Sequence, residues 1–333
     1  MNKSVIAICL AACVASFACP AAPGVPGRGG GRSVSPDACG KIDANPAGRK
    51  LYAFLQASAE LEKASVELEA SVASACRRMA RELAINDQGE TKDVCARVAT
   101  ELDANLKVSV KSESKLVTRY TPPQCHTEID LAASFAAKCE ARAEADIDIK
   151  CTGHCGGTCN GTCSGQCDGG GGGGGGQCSG QCDGTCQGRC SGRCEGAAEV
   201  NASAECKASA EIHASANTVC TEPKVEVVRE NVTVIDDSKF QKALKAIDVG
   251  LPSILRASRR LELAGKAVAN WVKTGASLVA STGDLVRQLG EKGLCVGAQL
   301  AAVAASSVQI EARFSVSVEA SANVSSSCGA TAQ

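Results

Sequence analysis

The sequence predicts an α+β fold. A long antiparallel sheet, a meander with a central hairpin over about residues 125–220, carries Ala-rich helices on one face and a protruding two-stranded ribbon laddered by disulfides. Three observations predict it. Fourteen cysteines fall into pairs whose residue numbers sum to 345: Cys125 with Cys220, Cys139 with Cys206, Cys151 with Cys194, Cys155 with Cys190, Cys159 with Cys186, Cys163 with Cys182 and Cys167 with Cys178. A constant sum is the register rule of one antiparallel hairpin, here with its tip at 168–177, and opposed residues are close enough for a disulfide. The inner five pairs are one observation, because two period-4 blocks of equal length mirror each other automatically; the outer two are independent of it. Apolar and polar residues alternate on both sides of the ribbon, and helical periodicity governs the chain before and after it.

From the N-terminus, Lys3 precedes an uncharged apolar run from Val5 to Ala18, too short to span a bilayer, so 1–18 reads as a signal peptide. The run ends Ser16-Phe17-Ala18-Cys19 and resembles a bacterial lipoprotein signal, which implies lipidation of Cys19; Leu10-Ala11-Ala12-Cys13 makes Cys13 the alternative. Residues 19–46 are a Gly/Pro-rich tether. If Cys19 carries lipid, 19 cysteines follow it and one stays unpaired; otherwise Cys19 can close on Cys39.

Segment 47–150 is expected to hold helices and the first strands. Leu51, Leu55, Leu61, Leu68 and Val72 set a helix over 47–85, ended by Asn86-Asp87-Gln88-Gly89. A shorter helix over 91–102 returns Cys95 to Cys76, a predicted disulfide. Leu106, Val108 and Val110 alternate as a strand. Odd positions from Thr127 to Ile149 (among them Ile129, Leu131, Ala133, Phe135, Ala137 and Cys139) are apolar or small against His126, Glu128, Asp130 and Lys138, which predicts a strand through 125–151. Even positions from Ala198 to Ala216 repeat the pattern over 194–220. The turns are Thr121-Pro122-Pro123-Gln124 and Thr221-Glu222-Pro223.

Residues 151–194 are the ribbon: Cys-x-Gly-x units with polar x and a poly-Gly tip. Period 4 is twice the strand period, so the cysteines share one face. Neither face can bury oil, and cross-links must replace a core. Rungs about 13 Å apart predict a ribbon roughly 55 Å long. In 195–333 come the returning strand, a less regular strand over 224–236, a helical block over 238–305 broken at Gly250-Leu251-Pro252 and Thr282-Gly283, and a strand from Val308 to Ala322; 47–150 and 195–333 are expected to form one domain. The two helical blocks align at an offset of 200 residues (Leu51 with Leu251, Leu55 with Leu255, Leu61 with Leu261, Cys95 with Cys295), as a duplicated unit would. Cys39, Cys295 and Cys328 compete for one bond, with Cys295–Cys328 favoured because both flank the last strand.

A net charge of -1 gives no electrostatic case for nucleic acid as partner. Twenty-two cysteines are too many for a reducing cytosol unless they bind metal. The metal alternative, a Cu or Zn store, meets Cys-x-x-x-Cys spacing and neutral Gly/Ser neighbours, which suit zinc poorly. His126 and His213 are expected on a solvated face, and His154 between Cys151 and Cys155. No catalytic constellation, P-loop or dinucleotide fingerprint is present. The expectation is a non-enzymatic, exported bacterial envelope protein without cofactor or resident metal. It would be lipid-anchored or secreted, its partner a membrane if Cys19 or Cys13 is acylated, with the ribbon as structural, spacer or adhesive element.

Overall fold

Asn45 starts the first long helix by accepting a hydrogen bond from the Gly48 amide at 2.7 Å, and Pro46 stands at its first turn. This helix, α1 (Pro46–Glu82), runs 37 residues and buries Leu51, Phe54, Leu55, Leu61, Leu68 and Val72 along one stripe. The computed structural model describes residues 34–109, 115–165, 167, 176–178, 185–230 and 233–332. The signal segment, Cys13, Cys19, Val110, Cys182 and most of the glycine tip lie outside the described residues.

After α1 come α2 (Thr91–Ser109), β1 (Lys115–Tyr120), β2 (Cys125–Glu128), α3 (Ile129–Glu140), β3 (Ile149–Cys163), β4 (Gly176–Cys178), β5 (Thr185–Val200), α4 (Ala204–Ala216), β6 (Val219–Cys220) and β7 (Val225–Glu230). The chain ends with α5 (Asp237–Ala280), α6 (Thr282–Leu289), α7 (Glu291–Ser327) and β8 (Ala330–Ala332). The architecture is α+β and rich in disulfides, as expected, but the strands are redistributed.

The long strands expected through 125–151 and 194–220 are interrupted by α3 and α4. Buried Ile129, Ala132, Ala133, Ala136 and Ala137 follow helical spacing, whereas Leu131, which strict alternation would bury, is 39% exposed. Residues 106–109 of the expected strand are the last turn of α2, and the one at 308–322 lies inside α7, where Ile310 and Phe314 are buried and Val308 is 68% exposed. Pro252 does not break α5. It lacks an N–H to give residue 248, but Ile247, Leu251, Ile254 and Leu255 are buried on both sides of it and hold the helix straight through.

Two sheets result. One has the order β7-β1-β8, with β1 antiparallel to β7 and parallel to β8; the other has the order β4-β3-β5-β2-β6. The helical core is built around Trp271, whose ring stacks on Phe54 at 6.2 Å and whose Nε1 donates to Ser58 Oγ at 2.9 Å. Gly250 lets α5 approach α1, since a Cβ there would collide with Met79. Cys76–Cys95 ties α1 to α2, and Cys39 is joined to Cys295 of α7. The Cys295–Cys328 bond is therefore not formed: Cys328 is a buried free thiol behind the end of α7, and Cys39 is not available to Cys19. Residues 32–333 form one compact unit, ribbon included.

Candidate functional site: the cysteine coil

The Cys-x-Gly-x segments form the least ordinary part of the molecule. Along one edge, residues 149–152 of β3 pair with 197–200 of β5; along the other edge the same residues pair with 185–188. Residues 186–188 pair in turn with 161–163, so Cys151 and Cys163 flank Cys186 on its two sides. The ribbon is thus wound on itself, three tetrapeptides of each strand to a turn, and is not the extended projection of roughly 55 Å expected from its length.

Winding puts the described cysteine side chains of β3 and β5 inside. Cys151, Cys155, Cys159, Cys163, Cys186 and Cys194 are at most 2% exposed, while Thr152, Asn160, Thr162, Gln187, Arg189 and Arg193 face solvent. Glycine makes the bends. Gly153, Gly188 and Gly192 have positive φ, and a Cβ at Gly196 or Gly161 would run into the Thr152 or Gln187 carbonyl of the opposite strand. The base of the coil is closed by Ile147, Ile149, Ala198 and Val200 against Ala132, Ala136, Ala210 and Ala214 of α3 and α4.

The ladder register differs from the expected one by a single repeat. Cys155 lies opposite Cys194, Cys159 opposite Cys190 and Cys163 opposite Cys186, so opposed numbers sum to 349. A slip of four residues again sets Cys against Cys and Gly against Gly, so the repeat alone does not choose between the two sums. The flanks choose: the observed register sets buried Ile149 against buried Val200, where the other would set it against Gly196.

The bonds combine both registers. Cys151–Cys194 keeps the sum 345, whereas Cys190 is joined to Cys159. This corrects the expected Cys155–Cys190 and Cys159–Cys186 rungs and leaves Cys155 and Cys186 as buried thiols. Burial first, and then a hydrogen bond to the Cys186 thiol, push the Cys155 thiol up to about 12. The sulfurs of Cys159, Cys163 and Cys186 all lie within 4.8 Å of one another. Cys163 and Cys167 are also disulfide-bonded; the pairings expected for them, with Cys182 and Cys178, involve side chains outside the described residues.

Outside the coil, Cys125–Cys220 spans directly opposed residues of β2 and β6. Cys139–Cys206 joins the last turn of α3 to the first of α4, and so ties two helices instead of two strands. His213 does not sit on a solvated face. It stacks on Phe135 at 4.6 Å, and its Nδ1 lies 2.6 Å from Glu60 Oε2. His126 is held 3.9 Å from Glu128, which also receives Arg193 of the coil at 3.1 Å.

One further group escaped the sequence reading. Glu211 of α4 is buried beside a cavity of about 20 Å³ that Thr127, Glu199 and Lys266 also line. Its Oε2 accepts from Asn270 at 2.8 Å, and Lys207 Nζ lies 3.8 Å from Oε1. Nothing in the local sequence distinguishes it from the half-buried Glu205 of the same helix. The cavity has room for about one water and none for an organic substrate.

Disulfides at this density persist in oxidising compartments, and they mark an exported, cysteine-rich protein. Comparison of the chain with family models, with curated proteins and with solved structures finds no match.

Proposed function

We propose that the protein is a non-enzymatic structural component of a bacterial cell envelope. The coil is its display element, and acylated Cys19, or alternatively Cys13, is its membrane anchor. One observation carries this reading: a coil whose described interior is sulfur and whose described exposed side chains are Thr, Asn, Gln, Ser, Glu and Arg gains its rigidity from covalent rungs and offers a polar surface. Such an element suits contact with an aqueous exterior and needs no partner to stay folded. An epitope inserted within the poly-Gly run at 169–175 provides the test, because a glycine run carries no side chain whose packing an insertion would break. The expected result is antibody staining of intact, unpermeabilised cells, with the protein in the membrane fraction and a lipid-sized mass increase on its N-terminal peptide. Staining only after permeabilisation would refute display at the surface.

The cluster of Cys159, Cys163 and Cys186 supports a second reading. Once its rungs are reduced, the column presents closely spaced thiolates to a soft ion such as Cu(I) or Zn(II). Stoichiometric metal in protein purified without oxygen, together with free thiols at these three positions, would replace the structural reading; metal-free protein with intact rungs would exclude the store.

A further inference from the structure

We infer that the coil contains an internal thiol–disulfide exchange centre, in which Cys186 attacks the Cys159–Cys190 rung and moves it one tetrapeptide along the column. The geometry is already assembled. The Cys186 sulfur is a free thiol within 4.8 Å of the Cys159 sulfur, and Cys159 is bonded to Cys190. Both cysteines project into the same interior, where Cys186 is 0% and Cys159 2% exposed.

The step is balanced without an outside oxidant. Cys186 loses its proton to water and, as thiolate, attacks Cys159 Sγ in line with the existing bond. The Cys159–Cys186 bond forms as the Cys159–Cys190 bond breaks, the electron pair leaves on Cys190, and Cys190 regains a proton. One disulfide and two thiols are present before and after; only the thiol pair changes, from Cys155 with Cys186 to Cys155 with Cys190.

The repeat is what makes the product state reasonable. Cys159–Cys186 has the sum 345, as Cys151–Cys194 already does, so exchange converts the one described direct rung to the register of its neighbour. The new thiol pair, Cys155 with Cys190, also sums to 345 and is the next rung that oxidation would close. A slip of one tetrapeptide retains Cys against Cys and Gly against Gly, so no bend has to be rebuilt with a different residue. The coil is therefore a ladder whose rungs can be re-indexed, whichever role it serves on the cell.

Proteolytic mapping reads the outcome directly. Cleavage at Lys, Arg and before Asp places Cys186 alone in residues 183–189, Cys190 alone in 190–193, and Cys155 with Cys159 in 151–167. Oxidised full-length protein is incubated at pH 7 and pH 8 without reductant, quenched in acid, unfolded, treated with N-ethylmaleimide and digested without reduction. Expected is transfer of label from 183–189 to 190–193 with time, faster at pH 8 than at pH 7 because the thiolate is the attacking species, and loss of that transfer in Cys186→Ser. Label that stays on 183–189 at every time and pH overturns the proposal, and so does equal labelling of 190–193 in Cys186→Ser. The wild-type protein decides the matter alone should the variant not fold.

Discussion

At the scale of single residues, Glu211 is the buried charge whose removal should show most clearly in stability. Desolvation is the largest influence on it and raises its carboxyl above the ordinary range; Asn270 and Lys207 oppose the shift, Glu199 adds to it, and Lys266 opposes it. Because the folded value lies above the unfolded one, folding favours the protonated acid. The penalty is absent at pH values below the unfolded carboxyl's titration and grows as pH rises to and through the folded one. Glu211→Gln keeps an oxygen for the Asn270 amide and removes the charge. Its unfolding midpoint should therefore exceed the wild type's at pH 7 and match it at pH 3, as denaturation at the two pH values will show. A lower midpoint at pH 7 would mean that the Lys207 pair outweighs burial. Trp271 shows the opposite, satisfied case: its one donor reaches Ser58 Oγ, whose own hydrogen goes to the Phe54 carbonyl at 2.7 Å.

Among the elements, what could be read from the chain depended on side-chain size. Where Leu, Phe and Val mark the stripe, as in α1, helical spacing is unambiguous and the expected 47–85 meets the observed Pro46–Glu82. Where the apolar set is mostly alanine, as in α3 and α4, burying one set of positions instead of another changes the area gained only slightly; in α4 the alanines stand at even positions alone, yet Ser209 and Glu211 are buried beside them. Alternation then has little packing advantage over helical spacing, and alanine's preference for helix decides. The strand β1 escaped notice because Leu116-Val117-Thr118 lies among charges; it is held by pairing with β7, expected within 224–236. The Cys125–Cys220 and Cys139–Cys206 bonds could be placed from residue numbers even though α3 and α4 are not strands, since two antiparallel helices of similar length preserve the same mirror symmetry. Inside the coil that symmetry repeats at every slip of four residues, and packing at Ile149 and Val200 settles what the spacing does not.

The Cys139–Cys206 bond carries a prediction on the same scale. With Cys151–Cys194 already closed inside it, this bond encloses about two dozen additional residues, a loop worth roughly 3 kcal/mol of stability. The variant Cys139→Ser/Cys206→Ser should keep its helix content by circular dichroism and lose about that much in denaturant unfolding. Loss of less than about 1 kcal/mol would show that residual structure in the unfolded chain already holds these ends together without the bond.

For the whole molecule, two cores of different substance share one compact unit. The helical core of α1, α2, α5 and α7 is oil: Phe54, Leu55, Met79, Ile247, Leu251 and Trp271, all at most 1% exposed. The coil's core is sulfur, with aliphatic side chains only at its base. Reduction removes the coil's main support and, among the described residues, two ties from the helical core of α1, α2, α5 and α7, Cys76–Cys95 and Cys39–Cys295. The molecule should then unfold in two stages. In reductant, amides of 151–163 and 185–200 should exchange roughly 100-fold faster or more, the consequence of losing about 3 kcal/mol of constraint from even one rung. Emission from Trp271, the chain's only tryptophan, should stay that of a buried indole until denaturant is added. Hydrogen exchange and fluorescence on one reduced sample distinguish this from the alternative: if emission shifts as soon as the coil's amides open, the α3–α4 layer that separates the two cores transmits the loss, and the chain folds as one cooperative body.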